Sequence, residues 1–250
     1  MRMRWVVLGG CFLAYMFDAM EIILLSLALP AIREDLGLGA GQAGLLATAT
    51  LLGIGLSSVL AGYVSDNFGR KRALIASLTV FGVFTAALAV VPNFELFLLM
   101  RFVAGFGLGG VWGVVAAYVV ETWPSESRGR AAAFVLSSFP IGGVVAALLS
   151  GLFLPDWRLM FLVAGAGVVL PLLVVVPFFP ESTAWTRARA ADAGGRVSVT
   201  EISPPACAGV RSLPRWWPAS RSPAGGAAPP GCRRTWPPSA ASRRGRWRSS

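Results

Sequence analysis

The stretch GYVSDNFGRKRAL, residues 62–74, separates two long apolar runs. One acid, Asp66, is followed by Gly69 and by three consecutive bases, Arg70, Lys71 and Arg72. Residues 42–64 before the turn and 73–92 after it carry no charge beyond this cluster. Each run has the ~20 apolar residues that a helix needs to cross the hydrocarbon core of a bilayer. A polar turn between two such helices lies at a membrane face. The three bases say which face, because short cytoplasmic loops collect Lys and Arg.

The rest of the chain agrees with a membrane setting. Its 250 residues are 55% hydrophobic, only 14% are charged, and the mean hydropathy is +0.66. A soluble domain is about a quarter charged. The formal net charge of +10 would suit a nucleic-acid partner, but twelve of the 22 bases lie after residue 186. The first 186 residues hold ten bases and ten acids, so no nucleic-acid surface is expected. There is no histidine, and Cys11, Cys207 and Cys232 have no metal-ligand spacing. Histidine-based catalysis is excluded, and neither a metal nor a cofactor is expected. The basic start and apolar run of MRMRWVVLGGC imitate a signal peptide. The apolar stretch nevertheless continues past Asp18 and Glu21 to about Ile32, which is spanning length.

Six spans are predicted, at about 5–30, 42–64, 73–92, 96–120, 131–153 and 159–179. Their connections alternate in charge. Arg2 and Arg4, then Arg70, Lys71 and Arg72, then Arg128 and Arg130 fall on one face. The opposite face holds REDLGLGAGQ, PNFE and PDWR, whose only bases are Arg33 and Arg158. The N-terminus, the 65–72 turn and the 122–130 link are therefore expected in the cytoplasm. Small residues recur within the spans, as in GFGLGGVWG (105–113) and GGVVAALLSG (142–151). Such residues let helix backbones approach where lipid supplies no hydrophobic drive to pack.

The turn also has internal order. Gly62, Asp66, Gly69 and Arg70 follow the spacing G-x-x-x-D-x-x-G-R. Gly62 would admit a neighbouring helix, Gly69 a tight turn, and Arg70 a two-pronged contact with a carboxylate. Asp66 can accept hydrogen bonds from a helix N-terminus or a base. This pattern resembles the signature loop between helices two and three of the major facilitator superfamily. YVVETWPSESRG (118–129) resembles the link between helices four and five of sugar porters and their relatives. RFVAGFGLG (101–109), DWRLMF (156–161) and PES (180–182) are similar to further blocks of that family, in the same order. After PES the usual Pro-Arg-Trp-Leu is replaced by Thr-Ala-Trp-Thr, with only Trp185 in place.

The resemblance covers residues 5–186. It implies an all-α integral membrane fold, a six-helix bundle that is half of a twelve-helix transporter. It further implies a cytoplasmic gate in which Asp66 and Arg70, with Lys71 and Arg72, join Glu121 and Arg128 in a charge network. A plasma (inner) membrane location follows from the same comparison.

Three charges lie inside the predicted spans. Asp18 and Glu21 are three residues apart in span one and share a helix face, and Arg101 lies in span four. Each costs about 2.5–3.5 kcal/mol at the centre of a membrane helix, so all three need partners or a wet cavity. An ionised acid beside Arg101 gains an ion pair, and a protonated one releases the base. FDAMEIILL (17–25) resembles helix one of organic-acid and nicotinate-type proton symporters. That likeness implies proton coupling through Glu21 first and Asp18 second. Arg101 points to an anionic substrate, with sugars the other class the resemblance implies.

Residues 187–250 use a different vocabulary, rich in Arg, Pro, Gly and Ser. Such a composition predicts a disordered tail. The residue types over 203–250 all have GC-rich codons, so the tail is expected to be out-of-frame sequence and the chain a truncated half. Its expected partners are a small-molecule substrate, H+, the lipid bilayer and the missing C-terminal six-helix half. The alternative is a six-helix membrane protein that acts as a dimer, a partner half or a regulatory subunit.

The charge alternation makes a topological prediction. Single cysteines placed in 34–41 should react with an impermeant thiol reagent added to intact cells, and cysteines in 66–72 should not. The reverse pattern would invert the assignment of faces.

Overall fold

The computed structural model describes residues 2–183 and 185–187. The expected tail over 187–250 lies outside the described residues, apart from Arg187. The six spans expected from hydropathy are present as helices; each starts a few residues before the expected bound, and the third and sixth end one or two residues short of it. The first, α1 (Arg2–Leu36), continues beyond Pro30 into the acidic connection. It closes on Gly37, whose φ is 63°, with the Leu38 amide donating to Arg33 O at 2.9 Å. A glycine in the left-handed region is the usual close of a helix. The second span is α2 (Ala40–Phe68) and the third α3 (Arg70–Ala87), extended by a 3-10 turn over Leu88–Val90. The fourth is α4 (Phe94–Thr122).

The last two spans are each broken once. Span five consists of α5 (Arg128–Leu136) and α6 (Ser138–Phe153), and span six of α7 (Trp157–Gly167) and α8 (Val169–Phe178). Both breaks lie three residues before a proline, at Ser137 ahead of Pro140 and at Val168 ahead of Pro171. A proline removes one amide donor and its ring presses on the carbonyl four residues back, so the ladder opens there. Polar side chains start the helices after the outer turns. Asn93 Oδ1 accepts from the Leu96 amide at 3.0 Å and Asp156 Oδ1 from the Leu159 amide at 3.1 Å. These contacts satisfy amides that the first turn leaves free.

Packing depends on glycine. A Cβ on Gly53 would strike the backbone of Phe102 and Phe106, and one on Gly105 would strike the backbone of Thr50. Spans two and four therefore touch backbone to backbone. Gly107 sits in the same way against Phe81 and Ser77 of span three, Gly142 of span five against Met16 of span one, and Gly165 of span six against Gly82 and Ala86 of span three. The outward faces of spans two and five carry Leu51, Leu52, Leu56, Val144, Leu148 and Leu152, all exposed. An apolar surface of this kind suits lipid and not water.

The glycine contacts make a stability prediction. Gly105→Val should cost about 3 kcal/mol or more, because the atom it meets is main chain and cannot swing aside. Gly113→Ala, which points a methyl into open space, should leave thermal unfolding unchanged. Equal effects of the two substitutions would show that close helix contact is not what holds spans two and four.

Candidate functional site

Two groups of charged side chains stand out, one within the bundle and one at the end that carries the 65–72 turn. In the first, Arg101 Nη1 of α4 donates to Glu21 Oε1 of α1 at 2.6 Å. The two side chains are 0% and 1% exposed. The guanidinium lies over the Phe161 ring of α7, 4.5 Å from its centroid, and 5.9 Å from that of Phe97. Thr85 of α3 lies beside the Glu21 carboxylate. The pair is thus enclosed by spans one, three, four and six. Ring faces hold the part of the cation that the carboxylate does not. Arg101 Nε and Nη2 make no hydrogen bond.

Asp18 is equally buried, but it is not part of this pair. Both its oxygens lack a partner in hydrogen-bond geometry, and its neighbour is the Trp112 indole. The sequence leaves open which acid meets Arg101; in the structure Glu21 meets it and Asp18 is left over. Trp112 packs edge-on against Tyr15, with ring centroids 5.0 Å apart, and Tyr15 reaches Phe139 at 6.1 Å. Spans one, four and five each contribute one of these rings.

The second group begins at a one-residue turn. Helix α2 ends at Phe68 and α3 starts at Arg70, so Gly69 alone reverses the chain, with φ of 105°. Arg70 is held there by three acceptors. Its guanidinium meets Asp66 Oδ1 at 2.9 Å and forks onto Glu121 Oε1 at 3.0 and 3.1 Å. It also donates to Ser65 O at 2.9 Å. The turn is in this way tied to the end of span four.

The other residues of the expected network are placed differently. Arg128 donates to Trp123 O at 3.5 Å and does not reach Glu121, whose Oε2 is buried without a partner. Lys71 and Arg72 make no ion pair among the described residues. No helix of this bundle approaches Gly62, where a Cβ would meet open space. Close approach there was the expectation, and within this half it does not occur. Among the described residues no three metal-ligating side chains converge.

The sequence reading missed the segment after span six as part of this group. Glu181 Oε1 accepts from the backbone N–H of Lys71 at 3.2 Å, in the first turn of α3. A carboxylate there satisfies a free amide and faces the positive end of the helix. Trp185 Nε1 donates to Asp66 O at 2.6 Å, and the Tyr118 hydroxyl to Pro180 O at 3.3 Å. Residues 180–185 therefore strap the turn to the ends of spans four and six. The signal was present in PES and in the retained Trp185, but the partners lie 62 to 119 residues away in sequence. On the opposite face, Arg158 pairs with Asp35 at 3.1 Å and donates to Val91 O at 2.7 Å, which ties spans one, three and six.

Comparison with known proteins adds to this geometry. The family model described as Major Facilitator Superfamily matches residues 11–223, which is past the point where the motif blocks end. Over 185 residues the chain is 32% identical to the cis,cis-muconate transport protein of Acinetobacter baylyi, covering 72% of this chain and 44% of that protein. It is also 32% identical over 183 residues to the niacin transporter of the same organism, with 72% and 42% covered. Among solved structures it is similar to the E. coli xylose transporter in a partially occluded inward-open conformation. There the TM-score is 0.69 at 19% identity, covering 78% of this chain and 52% of that one. The chain thus spans less than half the length of the curated relatives it matches.

The strap makes a local prediction. Glu181→Ala should remove the cap on α3 and cost about 1 kcal/mol, with faster amide hydrogen exchange over 69–74 and unchanged exchange in spans one and five. Unchanged exchange at the turn would mean that Glu181 does not hold it.

Proposed function

This chain belongs to the major facilitator superfamily, and we propose that it forms the N-terminal half of a proton-coupled symporter for small organic anions. The symporter would sit in the plasma membrane with its N-terminus in the cytoplasm. The observation that carries the reading is the Glu21–Arg101 pair, buried at the core of a lipid-facing bundle. A structural salt bridge in such a place is a costly way to join two helices, because desolvation offsets much of the attraction. The same near-balance is what a proton carrier needs. With Glu21 ionised, the pair holds spans one and four together. When Glu21 takes a proton, its own desolvation cost disappears and the attraction with it, and Arg101 is released. Small changes in hydration then decide between the two states as the cavity opens to one side and the other.

The substrate would lie near the bilayer midplane, between this half and a complementary one. Several relatives are named for muconate, niacin, gentisate or 4-hydroxybenzoate and another for sialic acid, a balance that favours a planar organic acid over a sugar. At the cytoplasmic end, Arg70 with Asp66 and Glu121 forms a gate. Its ion pairs lie at the helix ends, with Asp66 half exposed, and Glu121 Oε2, Lys71 and Arg72 have no ion pair among the described residues and would pair with the other half. The gate would close the cytoplasmic side in one state and part in the other.

The test uses a twelve-helix protein in which this half is joined to its complement, reconstituted in vesicles. Glu21→Gln should abolish uptake driven by a pH gradient while sparing counterflow of substrate. Accumulation by this mutant under a pH gradient would remove Glu21 as the carrier. Asp66→Asn should insert normally and lower turnover about tenfold, equivalent to roughly 1.4 kcal/mol on the slow step, with substrate affinity little changed. Full turnover would remove Asp66 from the gate.

A further inference from the structure

We propose that Tyr15, Trp112 and Phe139 form the subsite that selects a flat, conjugated ligand, with the Asp18 carboxyl as its polar anchor. The inference rests on the symporter reading above and adds the residues that determine specificity. The first observation is depth. Tyr15 is eleven residues into the span that begins at Arg4, Phe139 eleven into the span that begins at Arg128, and Trp112 ten before the end of the span at Thr122. At 1.5 Å per residue each ring lies about 15–17 Å from the same membrane face, close to the middle of a core ~30 Å thick. Interfacial anchoring does not account for a tryptophan at that depth, since belt aromatics sit at the headgroups.

The second observation is exposure. Tyr15 is 3% exposed, but Trp112 is 49% and Phe139 36% exposed. The two outer rings lean on a buried third and are partly exposed at the junction of spans one, four and five. The third observation is the orphan acid. Asp18 is one helical turn beyond Tyr15, 1% exposed, beside the Trp112 indole, and neither oxygen has a hydrogen-bond partner. A buried carboxyl without partners is costly to leave so, and a ligand polar group would satisfy it.

The chemistry of the face limits the ligand. Arg101 is not available on it, because Glu21, Phe97 and Phe161 enclose its guanidinium. Among the described residues this face therefore offers π surface and one carboxyl, with no cation at the same depth. A planar ring fits against Trp112 and Phe139, where stacked or edge-on contacts are favourable. A ring hydroxyl or N–H donates to Asp18. The ligand's own carboxylate then points away from Asp18, toward the complementary half. A saturated ring of similar size would lose the stacking, and a benzoate without a ring donor would lose the anchor.

The experiment is equilibrium binding of radiolabelled 4-hydroxybenzoate to the full chain in lipid nanodiscs, with benzoate and 4-hydroxycyclohexanecarboxylate as competitors. The subsite predicts that the saturated acid competes at least about tenfold less well than 4-hydroxybenzoate. Trp112→Leu should weaken 4-hydroxybenzoate about tenfold, and Trp112→Phe should restore most of it. Asp18→Asn should weaken 4-hydroxybenzoate more than benzoate. Trp5→Phe, remote from the rings, should change nothing. Circular dichroism and the unfolding temperature identify any variant that has lost its fold, and Phe139→Leu then replaces it. Equal competition by the saturated acid, or indifference to Trp112→Leu and Phe139→Leu in folded protein, overturns the subsite. Absence of binding by the folded chain to all three acids also overturns it. In vesicles the two readings separate: proton-driven uptake that needs Glu21 but ignores Trp112→Leu retains the symporter and removes the subsite.

Discussion

The contact between Arg101 and Glu21 constrains everything packed around it. A guanidinium cannot stay in lipid alone, and Arg101 does not reach water from its place in the second turn of α4, where it is fully buried. It therefore needs an acid at its own depth, on a neighbouring helix, at hydrogen-bond distance. Glu21 meets that need at 2.6 Å. The rings of Phe97 and Phe161 cover the remaining faces of the cation, which brings span six against span four. Glycines on α4 that admit the backbones of spans two and three let the helices close tightly enough to keep water out. Charge pairing and glycine packing are thus two sides of one requirement, since a looser bundle would hydrate the pair and a bundle without the pair would strand a charge.

The same constraint divides labour among the intramembrane acids. One base can neutralise one carboxylate. Glu21 has the base and is sealed within the half, while Asp18 is left on the aromatic side next to Trp112. Three residues of separation on one helix are enough to send two chemically similar groups to different tasks. At the end that carries the 65–72 turn an analogous economy operates. Arg70 gathers Asp66, Glu121 and a carbonyl of α2, and the 180–185 strap fixes the turn from outside through Glu181 and Trp185. A displacement of the end of span six or span four would be transmitted to the turn through these contacts.

Much of this was legible in the sequence, for identifiable reasons. Span number followed from length and hydropathy, because a bilayer imposes a minimum apolar length on every crossing. The turn at Gly69 and the pairing of Asp66 with Arg70 were readable because their spacing is local, whereas the contact with Glu121, 51 residues on, was expected only from the family resemblance. The partition of Asp18 and Glu21 was not. Both acids share a helix face, and only the placement of α4 and α7 decides which one meets Arg101. The breaks at Ser137 and Val168 could have been inferred from Pro140 and Pro171. Arg128 was expected to join Glu121 and instead turns to the carbonyl of Trp123, a choice set by the fold of a single link. Glu181 escaped notice because its partner is a backbone amide, which no side-chain pattern announces.

The central claim is that Glu21 and Arg101 form one energetic unit, and a double-mutant cycle measures it directly. Unfolding free energies of the wild type, Glu21→Gln, Arg101→Gln and the double variant, in one lipid environment, give the coupling without assumptions about transport. The account predicts that each single change is strongly destabilising and that the double change costs much less than their sum, with a coupling of about 2 kcal/mol or more. Additivity within about 0.5 kcal/mol would mean that the two groups do not depend on each other, and would contradict the account.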